Sequence, residues 1–113
     1  MIKHSTYFVD IDGTLIKYRS FDQIQTLAPE AITSVLDFIK TKYEEGSHIV
    51  ITTARPSELE LFTKQELEKI GVNYHQLVMG IGRGTRYVIN DRDPQAPEID
   101  RAVGINLDRN QGL

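Results

Sequence analysis

The chain predicts an α/β domain with a mostly parallel sheet of about five strands, on three observations. Short apolar, β-branched runs alternate with stretches of helical periodicity, the pattern of strands joined by helical crossovers. Three of those runs end in polar residues: Asp10 and Asp12, Thr52 and Thr53, and Asn90 and Asp91. The chain is 113 residues long, 40% hydrophobic and 26% charged, which is the size and make-up of a single domain, residues 1–113, able to bury a core without staples.

Taken in order, residues 5–11 read as the first strand, apolar on both sides and therefore central in the sheet. Residues 13–28 are mixed, with Lys17, Tyr18, Arg19 and Ser20 breaking any long pattern, and read as a flap or short hairpin followed by a loop. Pro29-Glu30 opens the first helix, because proline suits a first turn and an acid suits the positive end of the helix dipole. Its buried face is Ile32, Val35, Leu36, Ile39 and Tyr43, at helical spacing, and Gly46 ends it. His48–Thr53 is a β-branched run and the second strand. Ser57-x-x-Glu60 is a capping-box pattern opening a second helix that runs to about Ile70, with Gly71 as its cap. Gln76–Met79 reads as the third strand and Tyr87–Asn90 as the fourth, separated by a loop with three glycines and two arginines. A last strand is expected near Ala102–Leu107. Strands and helices in this order give a three-layer, Rossmann-like arrangement.

Charge and composition narrow the function. The net charge of -3 leaves no basic footprint, so the balance does not favour nucleic acid. The absence of cysteine excludes a disulfide framework, a zinc–thiolate site and a thiol nucleophile. No apolar run approaches signal-peptide or membrane-spanning length, so a cytoplasmic protein without a membrane partner is the default expectation. His4, His48 and His75 have no metal-ligand spacing.

Asp10 and Asp12 lie one residue apart at the end of a strand, so they point the same way. Two readings compete with a chemical one. Asp12-Gly13 between apolar stretches is also a hairpin-turn signal. A calcium loop fails, because counting from Asp10 it needs Gly where Leu15 stands and Glu where Phe21 stands. In open α/β sheets ligands bind beyond the carboxyl ends of the strands, and three runs place polar residues at that edge, which a plain turn does not predict. Carboxylates there suit Mg²⁺, Thr53-Ala54-Arg55 before the second helix suits phosphate, and an aspartate can attack phosphorus while a second acid handles the proton.

Asp10-Ile11-Asp12-Gly13-Thr14 resembles the first signature of the haloacid dehalogenase-like phosphatase superfamily, Asp-x-Asp-Gly-Thr after a buried strand. Ile49–Arg55 resembles its second motif, and Tyr87–Asp91 is similar to its fourth. The resemblance covers roughly residues 5–110. It implies a Mg²⁺-dependent phosphomonoesterase. Asp10 would be the nucleophile and a metal ligand, and Asp12 the general acid/base that gives the metal its main-chain carbonyl. Thr53 would hold phosphoryl oxygens, and Asp91 would complete the metal site. Thr14, Arg55 and Arg86 are expected to contact substrate. The family's third motif is a Lys or Arg; Arg83 is expected in that role, with Arg86 as its rival.

The intervals 13–28 and 72–86 are too short for the cap domain that many members insert. The site is therefore expected to be open, covered either by a neighbouring subunit acting as a lid or by the substrate. A small phosphorylated substrate, such as a sugar phosphate, is the expected partner. Two other classes stay open: a receiver-like module that stores a phosphoaspartate, and a catalytically weak domain that binds a phosphate ligand.

Overall fold

The computed structural model describes residues 4–113. Its regular elements are β1 (Thr6–Asp10), α1 (Thr33–Glu44), β2 (His48–Thr52), α2 (Glu60–Ile70) and β3 (Gln76–Val78), with a single 3₁₀ turn at Ser57–Leu59 leading into α2. The three strands form one parallel sheet in the order β1-β2-β3. The register sets Asp10 beside Thr52 and Thr52 beside Val78, so the carboxyl ends of all three strands are level.

β2 is the central strand. Its Ile49, Val50 and Ile51 are all buried, as a strand covered on both faces requires. Val35, Leu36 and Ile39 of α1 and Leu67 of α2 share one apolar cluster with Val9, Ile11, Leu15, Ile16, Ile49 and Ile51. Burying each of these large aliphatic side chains contributes about 1.5–3 kcal/mol before ordering costs. The cluster includes Ile11, Leu15 and Ile16, so the segment after β1 is anchored in the core.

Several expectations need correction. β1 lies at the sheet's edge rather than its centre, and Phe8 is 63% exposed. α1 begins at Thr33, not at Pro29-Glu30, because Glu30–Ile32 are held extended. The Lys17 amide donates to the Glu30 carbonyl at 2.8 Å, and the Ile32 amide donates to the Leu15 carbonyl at 2.9 Å. The Ser57–Glu60 capping box does not form; the 3₁₀ turn precedes α2 and no side chain caps it. Gly46 and Gly71 do follow α1 and α2 with positive φ, as expected.

Among the described residues the sheet has three strands, not about five. Tyr87–Asn90 and Ala102–Leu107 carry no strand, and Tyr87, Val88 and Ile89 are 84%, 59% and 96% exposed. The contacts around these runs are side-chain ion pairs rather than a ladder: just upstream, Arg86 Nη2 lies 3.7 Å from Asp10 Oδ1. Beyond it, the Asp91–Arg101 and Arg92–Asp100 ion pairs, at 3.2 and 2.7 Å, bracket a run of turns. The chain stands off the sheet as an arm and returns at Leu107, which packs against the core. The molecule measures 51 × 29 × 25 Å. No helix among the described residues is long and apolar enough to cross a membrane.

Candidate active site

The site begins where β1 ends. After Asp10 the chain makes a tight double turn: the Thr14, Leu15 and Ile16 amides all donate to the Ile11 carbonyl, and the Gly13 amide donates to the Ile16 carbonyl at 2.7 Å. Gly13 sits at φ +88°, where a side chain is strained, and a Cβ there would meet Arg109 Cγ at 3.1 Å. Asp10 and Asp12 project at this turn. The Asp10 side chain is 38% exposed and that of Asp12 21%.

The two acids have different surroundings. Asp12 is gripped by Arg55, whose Nε donates to Oδ2 at 2.9 Å and Nη2 to Oδ1 at 2.8 Å. Asp10 meets weaker partners: the Thr14 hydroxyl at 3.5 Å, the outer limit of a hydrogen bond, and Arg86 Nη2 at 3.7 Å. Partial burial pushes the Asp10 carboxyl above its ordinary range and the charge of Asp12 adds to this; Arg86, the Ile11 amide and Thr14 act in the opposite direction. Asp10 is thus the acid with an oxygen to offer.

Arg55 does more than touch Asp12. Its Nη1 also donates to the Thr63 hydroxyl at 3.1 Å and to Glu66 Oε1 at 3.0 Å. Burial pulls its guanidinium pKa down, but the hydrogen bond and charge of Asp12, followed by the contacts with Glu66, outweigh this and raise it. Glu66 is held in turn by Arg19, through Nη1 to Oε2 at 2.8 Å and Nη2 to Oε1 at 2.7 Å. Arg19 Nη1 also donates to the carbonyls of Ile24 and Leu27. The result is a chain of ion pairs, Asp12–Arg55–Glu66–Arg19, whose two cations and two anions balance. It ties the turn after β1 to α2 and to the loop before α1.

Arg19 and Glu66 were missed in the sequence. For Glu66 a signal existed: with Thr63, Leu67 and Ile70 it lies on the buried stripe of α2, where an acid needs a partner. Arg19 offered none beyond interrupting a mixed stretch.

The other predicted residues divide clearly. Thr53 is 1% exposed, and its hydroxyl oxygen accepts the Arg55 amide at 3.1 Å, so it shapes the turn after β2. That turn is tied to the following segment, since the Ile81 amide donates to the Thr53 carbonyl and the Gly80 amide to the Arg55 carbonyl. Arg86, rather than Arg83, is the cation brought to Asp10; Arg83 is exposed and makes no ion pair among the described residues. Asp91 does not join the pair: its carboxylate is 72% exposed and bonded to Arg101.

Among the described residues no three His, Asp or Glu side chains gather in a metal-holding group. The end of β1 nevertheless offers hard oxygen donors, namely the Asp10 carboxylate and the Asp12 main-chain carbonyl, which takes no hydrogen bond among the described residues. Mg²⁺ needs only one or two carboxylates when water and phosphate oxygens complete its sphere, so this donor set fits it.

The C-terminal segment also reaches the site. The Asn110 amide donates to the Gly13 carbonyl at 2.8 Å, Asn110 Oδ1 accepts the Tyr18 amide at 2.7 Å, and the Arg109 guanidinium lies 4.0 Å from the Tyr18 ring centre. A cleft of about 260 Å³ between residues 24–29 and α2 contains none of the predicted site residues. Comparison of the chain with protein-family models, with curated proteins and with solved structures finds no match.

Proposed function

We propose that the protein is a Mg²⁺-dependent phosphatase of the haloacid dehalogenase-like kind, acting in the cytoplasm on a small phosphorylated metabolite, most simply a sugar phosphate. The observation that carries this reading is the asymmetry of the acid pair: Asp10 is partly open at the strand's end, while Arg55 grips both oxygens of Asp12.

An Asp10 carboxylate oxygen attacks phosphorus. The bond from phosphorus to the leaving oxygen breaks, and that oxygen takes a proton from Asp12, which must enter the cycle protonated, with one oxygen out of the Arg55 fork. Water then attacks the aspartyl-phosphate, giving its proton to Asp12, and phosphate leaves. Both Asp12 oxygens lie in the Arg55 fork, so one must leave it for each proton transfer. Arg86 faces the charge of the transferring group. Mg²⁺, held by the Asp10 carboxylate and the Asp12 carbonyl, would offset repulsion between the nucleophile and a dianionic phosphate.

The fold proposed for the working enzyme is the three-layer, Rossmann-like domain with about five strands. The open edge of β1 and the packing of Leu107 on the core support it. A second reading, a phosphate-ligand-binding domain with little turnover, is favoured by the position of Asp91 away from the pair.

The test is phosphate release from a panel of sugar phosphates, nucleotides and phosphorylated nucleic-acid ends. Release that requires Mg²⁺ and vanishes in Asp10→Asn supports the enzyme. Binding of phosphate ligands without release supports the second reading, and full activity in Asp10→Asn sinks the mechanism.

A further inference from the structure

The turn that carries the acid pair has a cation beside it that neither acid uses. Arg55 pairs with Asp12, and Arg86 approaches Asp10. Arg109 pairs with no carboxylate among the described residues. Its side chain crosses Gly13, the residue next to Asp12: Cγ and Nε come within 3.1 and 3.8 Å of where a Gly13 Cβ would stand. Its guanidinium then lies over the Tyr18 ring, 4.0 Å from the centre. Thr14, on the other side of Gly13, reaches Asp10 with its hydroxyl. Arg109 is thus one residue along the turn from Asp12 and one from the residue that touches Asp10.

The fold fixes this position at several points. Leu107 packs on the core, the Asn110 amide donates to the Gly13 carbonyl, the Asn110 side chain accepts the Tyr18 amide, and the Leu113 amide donates to the Ser34 hydroxyl at 3.0 Å. Asn110 at φ +67° and Gly112 at φ +73° make the bends between these anchors. Tyr18 holds the far end of the Arg109 side chain. A strut would not need the charge, since an apolar side chain packs on a ring as well. A guanidinium stacked this way keeps its N–H edge open, and that planar fork matches a carboxylate or a phosphate. Among the described residues those N–H groups donate to nothing, and both Arg109 and Tyr18 are exposed.

We propose that Arg109 sets specificity: it receives a second anionic group, a carboxylate or a second phosphate, on the substrate whose ester phosphate meets Asp10. The preferred substrate is then a doubly anionic metabolite, such as a sugar-acid phosphate or a bisphosphate, rather than the monophosphate of a neutral sugar. Stacking on Tyr18 places the guanidinium before the substrate arrives, so little side-chain freedom is lost on binding. In turnover this rests on the phosphatase reading; as an anion site it is a matter of binding alone.

The experiment compares esters matched but for one group: glycerol 3-phosphate with 3-phosphoglycerate, and glucose 6-phosphate with 6-phosphogluconate and with glucose 1,6-bisphosphate. Expected is a kcat/KM about tenfold higher for the doubly anionic member of at least one pair, the scale of one charge-assisted hydrogen bond. In Arg109→Gln that ratio falls to about one through KM, while Arg109→Lys keeps part of it. The carboxylate and bisphosphate arms tell which anion is preferred. A ratio near one in the wild type overturns the proposal. So does a loss in Arg109→Gln that both members share equally, which is what a strut would give.

Should the wild type release phosphate from none of these esters, the phosphatase reading fails, and calorimetric Kd values for the same pairs decide the anion site. Binding of the doubly anionic member about tenfold tighter, and lost in Arg109→Gln, keeps it. Equal binding of the two members, or none, removes it.

Discussion

Arg55 and Asp12 form a fork-on-fork pair, two parallel N–H···O bonds of 2.9 and 2.8 Å between a buried guanidinium and a half-buried carboxylate. Paired donors of this kind fix orientation as well as charge. A lysine cannot span Asp12, Thr63 and Glu66 together. Arg55→Lys is therefore predicted to lower kcat by roughly tenfold to a hundredfold with little change in KM, since Asp12, the acid proposed to handle the proton, loses its alignment. Steady-state kinetics on the preferred ester check this; an unchanged kcat would remove Asp12's alignment from the mechanism.

Glu66 stands between two buried arginines and is itself 7% exposed on its side chain. Glu66→Gln leaves Arg19 without an anion and Arg55 with Asp12 alone. The predicted cost is about 3–5 kcal/mol of stability, the usual penalty for breaking a buried ion pair from one side. Urea unfolding measures it, and a loss below 1 kcal/mol, the scale of an exposed pair, contradicts the buried network.

Asp10 binds its proton more tightly in the folded protein than in the unfolded chain, because burial first, and Asp12 second, raise its carboxyl above the ordinary 3.8. Its contribution to stability is therefore fully present below pH 3.8 and is lost as pH rises through the folded-state value. At pH 7 the ionised group is a net burden. Asp10→Asn should melt at a higher temperature than the wild type at pH 7, and the gap should close as the pH approaches 3.8. Melting curves across that range decide it, and a lower melting temperature at pH 7 contradicts the sign.

Asn110 has φ +67° and bonds at both ends, its amide to the Gly13 carbonyl and its side chain to the Tyr18 amide. Asn110→Ala loses the second bond and strains the backbone, for a predicted loss of about 1–2 kcal/mol. Because the Gly13 turn carries both acids, activity should fall with it. Denaturant titration and kinetics on the same variant test the two effects together, and wild-type values in both would detach the segment from the site.

What the sequence revealed follows the range of each interaction. The places of Asp10, Asp12, Thr53 and Arg55 at strand ends were legible because each lies within three residues of one, and a strand end is a local pattern; the expected contacts of Thr53 and Arg55 were not, since Thr53 takes the Arg55 amide and Arg55 grips Asp12. β2 was legible as a β-branched run. The place of β1 in the sheet was not, because centre or edge depends on whether Tyr87–Asn90 pairs beside it, a choice made across some eighty residues. Separation along the chain also hid Arg19 and Glu66, whose partnership links positions 47 residues apart. The contrast between Arg83 and Arg86 turned on the path of a glycine-rich loop, where glycine leaves the backbone free and periodicity is silent.

The clasp between the Lys17 amide and the Glu30 carbonyl, with the Ile16–Ala31 bridge beside it, pins the two ends of the intervening loop together. The entropy of closing that loop is already spent, and doubling its length would add only about 0.6 kcal/mol. Phe21 and Asp22 at its outer bend are exposed, so extra chain could enter there while Arg19 keeps its hold on Glu66. Lengthening the loop beyond this neck leaves the turn that carries both acids in place.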